Sequence, residues 1–246
     1  MLVNKVVLVT GTNRGIGKSI VNKFLTEGAI VYANARKKES LNDLTENNQH
    51  FKNLIPLYFD VRDCNAVKDA FILIKKNHGK IDCLINNAGV LIDTSLNMLD
   101  RKTLRDIFDV NVFSVFELMS YASRMMIEKK KGSIINIASI CGDEGGMRGQ
   151  TAYSSSKGAV IALSKTAAKE LGQFNVRVNS ISPGFIDTDM FRSGPKIIQD
   201  KLIDGVYLNK TVGLPDDVAD LCVFLASEKS KYINGQNIRV DGFAHI

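Results

Sequence analysis

No two of the four cysteines, Cys64, Cys83, Cys141 and Cys222, are spaced as a CxxC pair, and the three histidines, His50, His78 and His245, are scattered without ligand spacing. Neither a zinc site nor a disulfide framework is indicated, and no metal is expected. No apolar run approaches the length that crosses a bilayer. The apolar opening MLVNKVVLVTG lacks the long core and small-residue cleavage site of a secretory leader, so it reads as a first strand and a cytoplasmic protein is expected. Low-complexity segments, internal repeats and Pro/Gly/Ser-rich linkers are missing too, which leaves nothing to divide the 246 residues into separate units. The net charge of +6 comes partly from lysines in small groups, Lys37 with Lys38, Lys75 with Lys76, and Lys129 to Lys131. They have no interleaved aromatics, so a solvated surface is expected rather than a nucleic-acid face.

What the chain does have is regular alternation. Short apolar runs at 5–10, 30–35, 54–59, 82–86, 133–138, 176–181 and 236–240 read as seven strands. Amphipathic stretches between them predict helices near 15–27, 64–78, 100–128, 152–172 and 215–227, with a weaker one about 39–47. Repeated βα units imply a single doubly wound α/β domain over 1–246: a seven-stranded parallel sheet with helices on both faces and a crevice at the carboxyl ends of the strands. The least regular stretch, 188–214, follows a strand end and is expected to act as a lid over that crevice.

The loop after the first strand is TGTNRGIG, with Gly11, Gly15 and Gly17 at GxxxGxG spacing ahead of a helix. Glycines let a backbone approach a diphosphate closely, and a helix N-terminus favours its charge, so a dinucleotide is expected here. The second strand ends ANARKK: Ala35 and Arg36 stand where an NAD-selective site usually carries a carboxylate. Arg36, with Arg14 as a second fork of donors, suits a 2′-phosphate, and NADP(H) is the cofactor expected.

In TAYSSSKGAV, Tyr153 and Lys157 lie four positions apart, on one face of a predicted helix. A phenol near an ammonium ionises more readily than at its usual pKa of about 10, so the pair could exchange a proton with a substrate oxygen. Taken alone, the pair reads more readily as a half-buried tyrosine beside a solvated lysine.

The company these motifs keep decides between the two. The glycine loop, Asp60 and Val61, NNAG at 86–89, Asn111 in DVNVF, Ser139 in NIASI, YxxxK, and Pro183 with Gly184 together resemble the short-chain dehydrogenase/reductase family over essentially the whole chain. The resemblance implies a Rossmann fold and an oxidoreductase. Tyr153 would be the proton donor, Lys157 would lower its pKa and hold the nicotinamide ribose, Ser139 would hold the substrate oxygen, and Asn111 would support a water. It also implies cofactor contacts from Asn13, Ile16, Asp60, Val61, Asn87, Ala88, Gly89, Pro183, Gly184, Ile186 and Thr188, besides the glycine loop.

Within the family the sequence is most similar to 3-oxoacyl-(acyl-carrier-protein) reductases, which implies an acyl-thioester substrate, with a sugar, polyol or other secondary alcohol as the alternative. Three positions depart from that pattern. Val212 replaces an arginine, Phe243 replaces a glycine, and Phe174 replaces a basic residue that would face an acidic carrier protein, while Lys130 keeps the other expected cation. The loops 90–98, 141–150 and 190–199 are expected to choose the substrate, with Asp143, Glu144 and Arg148 as polar contacts or solvated tips. A homotetramer is implied as well, with the helices 100–128 and 152–172 at one interface and the chain end, including Phe243 and Ile246, at another.

Overall fold

Runs such as VVLV form strands here because both of their faces are covered by helices, which is the setting in which unbroken apolar runs serve as parallel strands. The computed structural model describes residues 1–42, 44 and 51–245. Its strands are β1 (Val6–Val9), β2 (Ile30–Ala35), β3 (Leu54–Tyr58), β4 (Cys83–Asn86), β5 (Gly132–Ile137), β6 (Val176–Pro183) and β7 (Asn237–Val240). They form one sheet in the order β3-β2-β1-β4-β5-β6-β7, with every pairing parallel. The fold is thus the expected single-sheet Rossmann arrangement.

The helices are α1 (Gly15–Thr26), α2 (Cys64–His78), α3 (Arg101–Phe108), α4 (Ser114–Lys129), α5 (Cys141–Glu144), α6 (Thr151–Gly172), α7 (Asp189–Arg192), α8 (Lys196–Asp204) and α9 (Pro215–Ala226). Val7, Val9 and Ile85 pack with Ile20 and Phe24 of α1 and Val218 and Cys222 of α9. Val6, Leu8 and Leu84 point the other way and pack with Val67 and Phe71 of α2 and Leu118 of α4. The two-residue period of a strand thus supplies two separate cores. Local signals set the ends: Asp63 caps α2 by accepting from the N–H groups of Asn65 and Ala66, and Gly79 ends it at φ 63°.

Two expectations need correction. The predicted helix about 39–47 is not one of them: it opens with a 3-10 turn at Lys38–Leu41 and is helical at Asn42 and Leu44, and the rest of its span, like His50 and Ile246, lies outside the described residues. The long helix predicted over 100–128 is interrupted by a π turn at Asp109–Phe113 between α3 and α4. The stretch 188–214 is not irregular throughout: Thr188 caps α7, and Pro195 leads directly into α8.

Candidate active site

The strand order reverses between β1 and β4, and their two outgoing loops diverge to open a crevice at the carboxyl edge of the sheet. On one wall the glycine loop is pressed against the end of β4. Asn87 Nδ2 donates to the carbonyls of Thr10 and Gly11, each at 2.9 Å, and the Thr10 hydroxyl accepts from the N–H groups of Asn87 and Ala88. There is no room for a side chain in this seam. A Cβ on Gly11 would lie 2.8 Å from Ala88 Cα at a φ of +68°, and one on Gly17 would lie 2.1 Å from the Gly11 carbonyl oxygen.

The cleft so formed has a volume of about 880 Å³. Every residue expected at the cofactor or the reacting centre lines it, from Gly11 to Thr188, with the exception of Asn111. Asn111 lies behind the wall, 1% exposed. Its Oδ1 accepts from the Val90 N–H at 2.8 Å, while its Nδ2 donates to the Val90 carbonyl at 2.9 Å and to Ser156 Oγ at 3.0 Å. The π turn carries Asn111 there, and its side chain holds the loop leaving β4. Val90 and Ser156 are its unanticipated partners; the sequence signals Ser156 only by its place one helical turn after Tyr153.

Ser139 follows β5 and Tyr153 lies in the first turn of α6, so two different elements bring their hydroxyls together. Ser139 is buried, and its Oγ accepts from the Cys141 N–H at 3.2 Å. Burial pushes the Tyr153 phenol well above the usual range, against a smaller opposing pull from its hydrogen bond with Ser139. Lys157 is 5% exposed, its ammonium lies 5.8 Å from the centre of the Tyr153 ring, and it donates to the Ile137 carbonyl at 2.8 Å. Burial brings its pKa down to about 8. The expected lowering of the phenol by Lys157 is therefore not what the protein alone displays: desolvation acts on both groups and favours the neutral form of each. The phenol is held protonated, and the lysine titrates at about 8.

At the outer end of the cleft Arg36 is exposed beyond β2, and Arg14 reaches Asp189 of α7 at 3.6 Å. Asp60 is engaged by a two-pronged bond from Arg62, at 3.0 and 2.7 Å, which holds its carboxyl below the ordinary range with a lesser contribution from Arg36. Leu91, Ile92, Met147, Phe185, Phe191 and Leu202 form an apolar group in the cleft lining, alongside the polar Asp93, Gln150, Ser193 and Gln199. Asp143, Glu144 and Arg148 are not among the lining residues. The two carboxylates instead bind Asn237 and Arg239 of β7, so the polar contacts expected of them are made to the protein's own edge strand. Cys141 and Gln150 reach the cleft from the same segment.

A family model described as enoyl-(acyl carrier protein) reductase matches residues 11–245. The chain is 36% identical over 242 residues to 3-oxoacyl-(acyl-carrier-protein) reductase FabG of Thermotoga maritima, covering 98% of each. The chain belongs to the short-chain dehydrogenase/reductase family. A like-named FabG from Chlamydia muridarum is 36% identical over 249 residues, with 98% of each chain covered. A 3alpha-hydroxysteroid dehydrogenase of Mediterraneibacter gnavus is also 36% identical, over 250 residues, covering 99% of this chain and 98% of the relative.

Membership makes the protein an oxidoreductase that works with a nicotinamide cofactor, and the residues present fit one. The N-terminus of α1 carries no acidic residue in its first turn and no side-chain cap, so its free N–H groups are left for a diphosphate beside glycines that admit close approach. Among the described residues no helix is long and apolar enough to cross a membrane.

Proposed function

We propose that the protein is an NADPH-dependent reductase of 3-oxoacyl thioesters, with acyl carrier protein as the natural carrier. The observation that supports this reading is the apolar group Leu91, Ile92, Met147, Phe185, Phe191 and Leu202 in the cleft lining, together with the diversion of Asp143 and Glu144 to β7. An acyl chain gains from leaving water for these side chains, which offer a sugar or polyol no hydrogen-bond partners.

A reduced nicotinamide, when bound, supplies the hydride that adds to the carbonyl carbon. Negative charge then develops on the carbonyl oxygen, and Ser139 and Tyr153 meet it with hydroxyl donors. Tyr153 gives its proton to that oxygen; the phenol is protonated at neutral pH and so has the proton to give. Lys157, at about 8, is placed to hold the cofactor ribose and to return a proton to the phenolate. Asn111 keeps the Val90 loop, and with it the nicotinamide side of the cleft, in place. Arg36 and Arg14 would hold the 2′-phosphate of the cofactor, Arg14 giving up its exposed pairing with Asp189 to do so. The stretch 188–214 closes over substrate.

A bulky apolar ketone is the second reading. It is favoured by Phe174, which packs on the core where a carrier-binding cation would stand, and by the relative named for a hydroxysteroid. We further propose a cytoplasmic homotetramer. The exposed Phe113 and Phe116 on the long helical segment supply apolar contact area for that assembly, and a sedimentation mass near four times 27.1 kDa is expected. The deciding assay follows NADPH against NADH oxidation with acetoacetyl thioesters, a ketosteroid and a keto-sugar. Rapid thioester turnover with NADPH supports the first reading, and turnover of the steroid alone transfers the assignment to the second. Preference for the sugar overturns the argument from the apolar group.

A further inference from the structure

Arg239 lies on β7, outside the cleft, yet it joins α5 to the chain end. Its guanidinium pairs with Glu144, the last residue of α5. It also donates through Nε to Asp241 Oδ2 at 2.6 Å and through Nη2 to the Ala244 carbonyl at 2.9 Å. Two residues before Arg239 on the same strand, Asn237 Nδ2 donates to Asp143 Oδ2 at 2.6 Å, and Asn237 Oδ1 accepts from Ser180 and Ser182 of β6. Residues i and i+2 share a face of a strand, so β7 grips α5 at two successive carboxylates.

Both ends of this grip lead to Ser139. On one side, α5 begins at Cys141, whose N–H is the donor to Ser139 Oγ. On the other, the chain end held by Arg239 presents Ala244 against Ile140, the residue after Ser139, and against Val206. That chain end also fixes the far end of the lid, because the Leu208 N–H donates to the Gly242 carbonyl at 3.0 Å and the His245 N–H to the Gly205 carbonyl at 3.2 Å.

We infer that Arg239 is a positioning residue. By clamping α5 and the chain end together it orients the Ser139 hydroxyl toward the substrate oxygen and anchors the lid. The inference rests on the proposed role of Ser139 but not on the identity of the ketone. The fork geometry matters because the three partners lie in different directions, which a guanidinium can satisfy and an ammonium cannot satisfy fully.

The test compares Arg239→Met, Arg239→Lys and the milder Glu144→Gln. In hydrogen exchange on the cofactor-free protein, Arg239→Met is expected to speed exchange in peptides covering 138–146 and 204–208 and to leave those covering 11–17 unchanged. In turnover, it is expected to lower kcat about tenfold with the KM for the nicotinamide cofactor unchanged. Arg239→Lys should restore part of the loss, and in a Ser139→Ala background Arg239→Met should cost clearly less than its loss of about tenfold in the wild type, the remainder coming from the lid. Exchange that rises uniformly or not at all overturns the inference, and so does a loss that multiplies in full with that of Ser139→Ala. Should Arg239→Met not fold, Glu144→Gln is read by the same criteria. A wild-type protein inactive on acyl thioesters but showing the localised exchange response would sink the substrate assignment and leave the clamp standing.

Discussion

Replacing Lys157 by methionine is predicted to stabilise the protein against unfolding while abolishing most of its turnover. An ordinary lysine titrates at 10.5 and this one at about 8, because its buried ammonium has exchanged water for one carbonyl partner. At about 1.36 kcal/mol per pH unit, holding that charge inside costs about 3 kcal/mol at pH 7. Methionine is close in length and removes this cost, although the Ile137 carbonyl then lacks its donor, an offset of about 1–3 kcal/mol.

The pH dependence separates the two effects. Between 8 and 10.5 the unfolded chain binds a proton that the folded one does not, so the wild type gains stability as pH rises through that window. The lost carbonyl bond does not titrate. The variant's stability relative to wild type is therefore greatest at pH 7 and falls by about 2–3 kcal/mol on going to pH 10. Urea unfolding without cofactor, at one protein concentration because association would shift apparent stability, measures this difference directly. A difference that is flat across the range would refute the claim that Lys157 is buried at a cost.

Tyr153→Phe is expected to bind cofactor normally and to lose at least about 100-fold in kcat, as befits removal of the group that gives the proton; undiminished turnover would end that assignment. Arg36→Asp should turn the preference from NADPH toward NADH, measured as the ratio of kcat/KM for the two, and an unchanged ratio would leave Arg14 as the reader of the phosphate. Asn111→Ala removes both partners of the Val90 backbone and should cost about 2–4 kcal/mol in urea unfolding. A cost near zero would mean that water replaces the amide.

The sequence by itself determined the elements and the chemistry-bearing residues. Period and punctuation located the seven strands and the order in which helices separate them, because a buried parallel strand must be apolar on both faces and a helix must carry one polar side. The spacing of Gly11, Gly15 and Gly17 after β1 and the four-residue step from Tyr153 to Lys157 are local geometry, legible without a fold. The partners across the fold were not. Asp143 and Glu144 lie 94 and 95 residues from Asn237 and Arg239, so sequence offered them only as substrate contacts or solvated tips. The π turn that buries Asn111 depends on Val90 and Ser156, 21 and 45 residues away. The protonation preferences of Tyr153 and Lys157 followed the same division. Sequence places a cation beside a phenol, but desolvation is a property of everything packed around the pair, and only the tertiary structure decided that both groups are buried.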